Sequence, residues 1–184
     1  MHAKTALVPI AEGSEDIETV CIIDVLRRAG VEVTVASAMG TESLEITAAR
    51  KTRIVADTHI NQCLDQTYDL IALPGGLPGA EHLRDCAALI ELLSLQKSSG
   101  RWFAAICASP AVVFASHRLE SDVATTAHPG FTNKLTRFRD ARVVVDKNCI
   151  TSQGPGTALE FSLALVEALL GPEKRTEVAA PMVL

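Results

Sequence analysis

The chain has 184 residues, of which 48% are hydrophobic, 21% charged and 4% aromatic, and its formal net charge is -5. That length suits one domain with a sizeable core, and the balance of residues is that of a soluble globular protein. A mildly acidic chain with no Lys/Arg run and few rings for base stacking argues against nucleic acid or an anionic membrane as the main partner.

The apolar run that begins at Ala6 is interrupted by Pro9, Glu12 and Gly13. It is too short for a signal-peptide core or a membrane span, so the expected location is the cytosol. Residues 5–10 read as a buried strand. Glu12-Gly13-Ser14 reads as a turn, with Ser14 as the helix N-cap and Glu15 and Asp16 in a first turn that suits acids. This helix is expected to run to about Ala29 and to stop at Gly30, ahead of a strand over residues 31–36. The order has the length of a parallel crossover unit.

Short strands are expected near 44–47 and 53–56, as a small antiparallel excursion. Asp69–Pro74 forms a further buried strand ending in Gly75-Gly76-Leu77-Pro78-Gly79. A helix follows over roughly 86–99, then a strand Phe103–Ile106 and a helix from about Pro110 to Ser116. Strands are expected near 123–126, 143–146 and 149–152. Thr157-Ala158-Leu159-Glu160 fits a capping box opening the last long helix, which ends at Gly171-Pro172. The apolar tail Ala180–Leu184 is of a kind that docks on its own domain or on a second subunit. The alternation implies a doubly wound sheet covered by helices on both faces, with ligands outside the carboxyl ends of the strands.

Five cysteines, Cys21, Cys63, Cys86, Cys107 and Cys149, are widely spaced without a CxxC pair. An odd count in a reducing compartment argues against a disulfide framework, and no Cys/His spacing resembles a zinc site. Most read as small buried hydrophobes. Cys107 differs, because the strand ends at it and Pro110 suits the first turn of a helix that begins almost at once. The turn resembles a nucleophile elbow, with sulfur at a helix N-terminus whose free N–H groups favour a thiolate. Spacing alone leaves open a buried cysteine at a strand end.

At about 100° per residue, Glu18 falls within the apolar face of the first helix formed by Cys21, Ile22, Val25 and Ala29. It either sits at the rim and reaches solvent, or faces the strand ends with a pKa raised by desolvation. A protonated Glu18 would donate a hydrogen bond to a Cys107 thiolate, whereas an ionised one would repel it. His128, before Pro129, is a candidate proton shuttle or a plain loop residue; His2, His59, His82 and His117 lack a comparable context. The Gly75–Gly79 turn is not GxGxxG and no Lys-Ser/Thr follows, so dinucleotide or P-loop binding is poorly supported. Its alternatives are an ordinary tight turn and a source of N–H groups for a developing oxyanion.

Taken together, Gly13–Val20, Leu73-Pro74-Gly75-Gly76, Ala104–Ala108, His128-Pro129, Thr151–Thr157 and Ala180–Leu184 resemble the ThiJ/PfpI superfamily, nearly end to end. The branch most resembled is that of the Parkinson-disease protein 7 family and its bacterial relatives. The resemblance implies a single class I glutamine amidotransferase-like domain over residues 1–184. It also implies a flavodoxin-like three-layer α/β/α sandwich with a mostly parallel central sheet, and a homodimer. Cys107 would be the nucleophile, with a protonated Glu18 against it and His128 nearby. Gly76 and Ala108 would offer N–H groups, and Arg28 and Arg50 would come near the site at the dimer interface. No cofactor or metal is implied. The implied activities are cofactor-free glyoxalase and deglycation, acting on a small aldehyde or a glycated protein, together with redox-sensitive chaperoning and protection from oxidative stress. The chain departs from the family at Ser109, where Gly or Ala is usual and where the hydroxyl either narrows the pocket or adds a hydrogen bond; the stretch between Pro129 and Arg142 is shortened.

Two functions are therefore expected to share one thiolate. In the first it attacks an aldehyde carbon. In the second it is a redox sensor oxidised to sulfinate. A Cys-His-Asp protease is disfavoured because His128 has no evident carboxylate to orient it.

Overall fold

Seven strands form the central sheet of the computed structural model, which describes residues 3–40 and 43–184; His2 lies outside them. In chain order the strands are β1 (Thr5–Ile10), β2 (Glu32–Ser37), the hairpin β3 (Glu45–Thr47) and β4 (Arg53–Val55), β5 (Thr58–His59), β6 (Leu70–Leu73), β7 (Trp102–Ile106), β8 (Val143–Asp146) and β9 (Cys149–Ser152). The sheet order is β5-β2-β1-β6-β7-β9-β8, parallel except for the β8/β9 pair. β3 and β4 pair antiparallel as a separate excursion, as expected. The helices are α1 (Asp16–Arg28), α2 (Gly79–Asp85), α3 (Ala87–Ser98), α4 (Ala158–Leu170) and α5 (Pro172–Ala179).

Strand alternation divides the core into two layers. Ala6, Val8, Ile10, Ala104 and Ile106 point one way and pack with Ile22, Val25 and Leu26 of α1 and Phe161, Leu165 and Val166 of α4. Leu7, Ile71, Leu73, Phe103 and Ala105 point the other way, against Leu83 of α2, Leu89, Leu92 and Leu93 of α3, and Phe114. The Phe103 and Phe114 rings lie 5.2 Å apart. Helices on both faces of a mostly parallel sheet make this the expected flavodoxin-like sandwich.

Several local expectations are corrected. The N-cap of α1 is Glu15, whose Oε2 accepts from Glu18 N at 2.8 Å, while Ser14 Oγ turns back to accept from Ala11 N at 3.0 Å. The helix expected over roughly 86–99 is α3, Ala87–Ser98, whereas α2, which ends where Cys86 is extended (ψ 97°), was not expected. Pro110–Phe114 is a π-helical turn, closed by Ala115 N donating to Pro110 O at 3.0 Å. Residues 123–126 carry only an isolated bridge between Thr125 and Phe138. Side chains capture the ladder amides there: Ala124 N donates to Asp146 Oδ2 (2.6 Å) and Thr126 N to Thr151 Oγ1 (2.9 Å). The capping box at α4 does not form, because Thr157 Oγ1 accepts from Gly154 N at 3.1 Å and Glu160 pairs with Arg142 at 2.7 Å. In the tail Met182 packs on the core, while Val183 and Leu184 are exposed.

Among the described residues, no helix is long and apolar enough to cross a membrane. All five cysteines are free; Cys63 and Cys149 are buried as small hydrophobes, and Cys21 and Cys86 are half-buried.

Candidate functional site

β1, β6 and β7 are parallel and adjacent, so the segments that follow them gather at one edge of the sheet. Cys107 is the first residue beyond β7. Its N–H donates to Ser152 O at 3.0 Å and its carbonyl accepts from His128 N at 2.8 Å, which fixes the turn from both sides. Its φ is 65°, in the left-handed region that a non-glycine residue enters at a cost of order 1–3 kcal/mol. Sequence reasoning located the turn but had no signal for this backbone conformation.

Gly75 lies between Cys107 and α1. A Cβ placed there would stand 2.6 Å from Cys107 Cβ and 2.9 Å from Glu18 Oε2, so only glycine fits. Its N–H donates to Glu18 Oε2 at 2.7 Å, and its carbonyl accepts from Glu15 N at 2.9 Å. Gly76, with φ 87°, turns its own N–H to the Cys107 sulfur, as does Ala108.

Glu18 is fully buried, which removes the solvent-exposed rim alternative. Burial pushes its carboxyl up to about 7, with a small addition from the Glu15 charge, against the downward pull of the Gly75 N–H and Cys107. Oε1 has no hydrogen-bond geometry to any group among the described residues, although the carboxyl as a whole lies against the Cys107 thiol.

Cys107 is itself 9% exposed. With Glu18 ionised, burial first, then the carboxylate charge and its hydrogen bond, push the thiol up to about 12; the Gly76 and Ala108 amides pull it down. With Glu18 ionised, burial outweighs the amides at the sulfur, so the state of Glu18 decides the balance.

The sulfur opens into a pocket of about 330 Å³ lined by Glu15, Arg50, Leu77, His128 and Phe131, among others. His128 Nδ1 accepts from Gly130 N at 3.2 Å, so the ring proton of neutral His128 sits on Nε2. No hydrogen bond joins its ring to the sulfur among the described residues; the two meet only through the pocket. Arg50 is exposed at the rim, its backbone N–H held by Asp16 Oδ2 at 2.7 Å. Arg28 is not in the pocket. It pairs with Asp24 at 2.6 Å on the solvent side of α1.

Ser109 does not line the pocket. It is fully buried and donates to Pro74 O at 2.5 Å, so its hydroxyl adds a hydrogen bond and does not narrow the cavity. Glu15, Leu77 and Phe131 were missed as site residues. The signal for Glu15 was its place three residues before the buried Glu18; the two apolar walls had none. Among the described residues no cluster of three or more His, Cys, Asp or Glu is placed to hold a metal ion.

Residues 4–168 match the DJ-1/PfpI family. The chain belongs to that family. It is 41% identical over 190 residues to the Parkinson disease protein 7 homolog of Danio rerio, covering 100% of this chain and 99% of that one. It is 38% identical to the glutathione-independent glyoxalase DJR-1.2 of Caenorhabditis elegans, covering 98% and 97% respectively. Protein DJ-1 homolog B of Arabidopsis thaliana is 49% identical over 175 residues, but the chain spans only 40% of its length, and 47% of that of homolog A. Among solved structures, oxidized Toxoplasma gondii DJ-1 superposes with a TM-score of 0.95 at 43% identity, covering 98% of both chains. Drosophila melanogaster DJ-1beta gives 0.91 at 38% identity, covering 100% of this chain and 99% of that one.

Proposed function

We propose that the chain is a cysteine-dependent, cofactor-free glyoxalase and protein deglycase, acting on methylglyoxal, glyoxal or their adducts and protecting against carbonyl and oxidative stress. The observation that carries this reading is the fully buried Glu18 carboxyl against a Cys107 sulfur that also faces the Gly76 and Ala108 amides. It is supported by the similarity to a relative named as a glutathione-independent glyoxalase.

One proton is shared by the Glu18–Cys107 pair, which titrates as a unit. In the state with the proton on Glu18, the sulfur faces two N–H groups and a neutral carboxyl, while Oε2 accepts from Gly75. Cys107 thiolate adds to the aldehyde carbon of methylglyoxal, and Glu18 gives its proton to the new alkoxide, completing a hemithioacetal. The Glu18 carboxylate then takes the C1 proton and returns it to C2, while His128, which lines the same pocket, would protonate the C2 oxygen through Nε2–H and recover that proton from the C1 hydroxyl as the C1 carbonyl forms. The aldehyde carbon is oxidised as its neighbour is reduced, so no external redox partner enters. The resulting thioester is hydrolysed by water to lactate and the free thiol. Arg50 at the rim would hold the carbonyl oxygens or the backbone of an adducted protein.

The same reading takes the chain as a single-domain, cytoplasmic homodimer. Ile17 (54% exposed) and Val20 (51%) present an apolar face on α1, beside Val55. Pairing across that face would bring α1, and with it Arg28, alongside a second site. Cys107→Ser is expected to abolish lactate production from methylglyoxal; full production by that variant would sink the reading.

A second reading, a redox-sensing stress chaperone, is favoured by the similarity to a structure described as oxidized. Peroxide would convert Cys107 to sulfenate and then sulfinate, whose oxygens could accept from the Gly76 and Ala108 amides and from a protonated Glu18. Mass spectrometry after mild peroxide should find oxidation concentrated at Cys107. Oxidation spread evenly over the five cysteines would count against it.

A further inference from the structure

Ser109 carries a hydrogen bond that the proposed chemistry does not use. A serine at a helix N-cap ordinarily accepts from an amide one turn into the helix. Here it precedes Pro110, makes no such cap bond, and its hydroxyl donates backward across 35 positions to Pro74 O at 2.5 Å. Pro74 directly precedes Gly75 and Gly76, whose amides reach Glu18 Oε2 and the Cys107 sulfur respectively. Ser109 stands two residues beyond Cys107, whose backbone is held at φ 65°. The bond therefore ties the turn that presents the sulfur to the turn that presents both amides. Tolerance at this junction is small, since an added Cβ on Gly75 would come within 2.6 Å of Cys107 Cβ. Ser109 is fully buried and absent from the pocket wall, so it cannot touch a substrate.

We infer that Ser109 is a positioning residue, which acts through the Pro74 carbonyl to hold the Gly75 and Gly76 amides in register with Glu18 and Cys107. The inference rests on the reading of Cys107 as the reactive group. A Gly or Ala at this place would offer no such donor, so the tie depends on the hydroxyl of Ser109. Loosening it withdraws an N–H from the sulfur, which disfavours the thiolate.

The test is the pH profile of Cys107 alkylation by iodoacetamide, read site by site with mass spectrometry, in wild type, Ser109→Ala, Ser109→Gly and Ser109→Thr. In Ser109→Ala the midpoint is expected to rise by about one pH unit, lowering the alkylation rate below the midpoint by about tenfold. Turnover of methylglyoxal should fall in kcat with little change in KM. Ser109→Thr, which keeps the donor, should restore the profile. Ser109→Gly serves if Ser109→Ala fails to fold. An unmoved profile in the folded variants overturns the inference, including when their melting temperature drops, because that outcome is a structural role only. Cys107→Ser separates the two levels: if it retains turnover the glyoxalase reading fails, whereas an unmoved alkylation profile with Cys107→Ser inactive removes only the role of Ser109.

Discussion

Glu18→Gln should make the protein more stable at neutral and alkaline pH while removing its activity. Burial raises the Glu18 carboxyl from 4.5 to about 7. Between those values the folded chain holds a proton that the unfolded chain has released. Wild-type stability therefore falls as pH rises through this window, and the full cost of ionising a buried carboxyl is present above it. At about 1.4 kcal/mol per pH unit, the difference amounts to about 3 kcal/mol. The amide that replaces the carboxyl does not titrate, and its oxygen can still accept from the Gly75 N–H. The variant's advantage in unfolding free energy should thus grow from near zero at pH 4.5 to about 3 kcal/mol at pH 8. Urea unfolding followed at half-unit pH steps measures this directly. The comparison stays below pH 8 because the raised thiol of Cys107 contributes only above its ordinary value of 9.0. A difference that stays flat from pH 4.5 to 8 would refute the claim that Glu18 carries its proton into the neutral range. Lactate production by Glu18→Gln should be lost throughout, since the amide cannot shuttle the C1 proton.

Gly75→Ala forces a Cβ to 2.6 Å from Cys107 Cβ and 2.9 Å from Ile106 O, and should cost roughly 2 kcal/mol by overpacking, together with most of the activity; thermal melting and turnover check both. His128→Phe keeps a ring beside Phe131 but loses Nε2–H, and should lower kcat for methylglyoxal by about a hundredfold. Because the ring makes no hydrogen bond to the sulfur among the described residues, the Cys107 alkylation rate should be unchanged in that variant. Placing charge on the exposed α1 face by Ile17→Glu with Val20→Glu should convert a dimer to monomer in sedimentation, with secondary structure intact.

The parallel core was legible because buried strands such as Leu70–Leu73 and Trp102–Ile106 read as continuous apolar runs, the first followed by Pro74-Gly75-Gly76 and the second preceded by Gly100. Glu18 was legible because helix periodicity places it on a face where a charge needs a reason. The turns were harder. The capping pattern at Thr157 was present, but its hydroxyl is taken by Gly154 N, and the amides of Ala124 and Thr126 are taken by side chains distant in sequence. At Ala124 and Thr126 that competition is decided by tertiary neighbours that no local window contains. The pKa of Cys107 was not legible for a related reason: the amides are local, while the burial that opposes them comes from the assembled fold.

The free cysteines, described above as packing residues, also make a depth gauge for motion. Cys149 opens β9 at the base of the sheet with 1% exposure, Cys86 is half-buried at the break between α2 and α3, and Cys107 opens into a pocket. Thiol-labelling rates at these positions would sort fluctuations by size: Cys107 reports motion of the site, Cys86 fraying at one helix junction, and Cys149 only disruption of the sheet. The chain thus carries its own set of probes for telling a perturbed active site from a loosened fold.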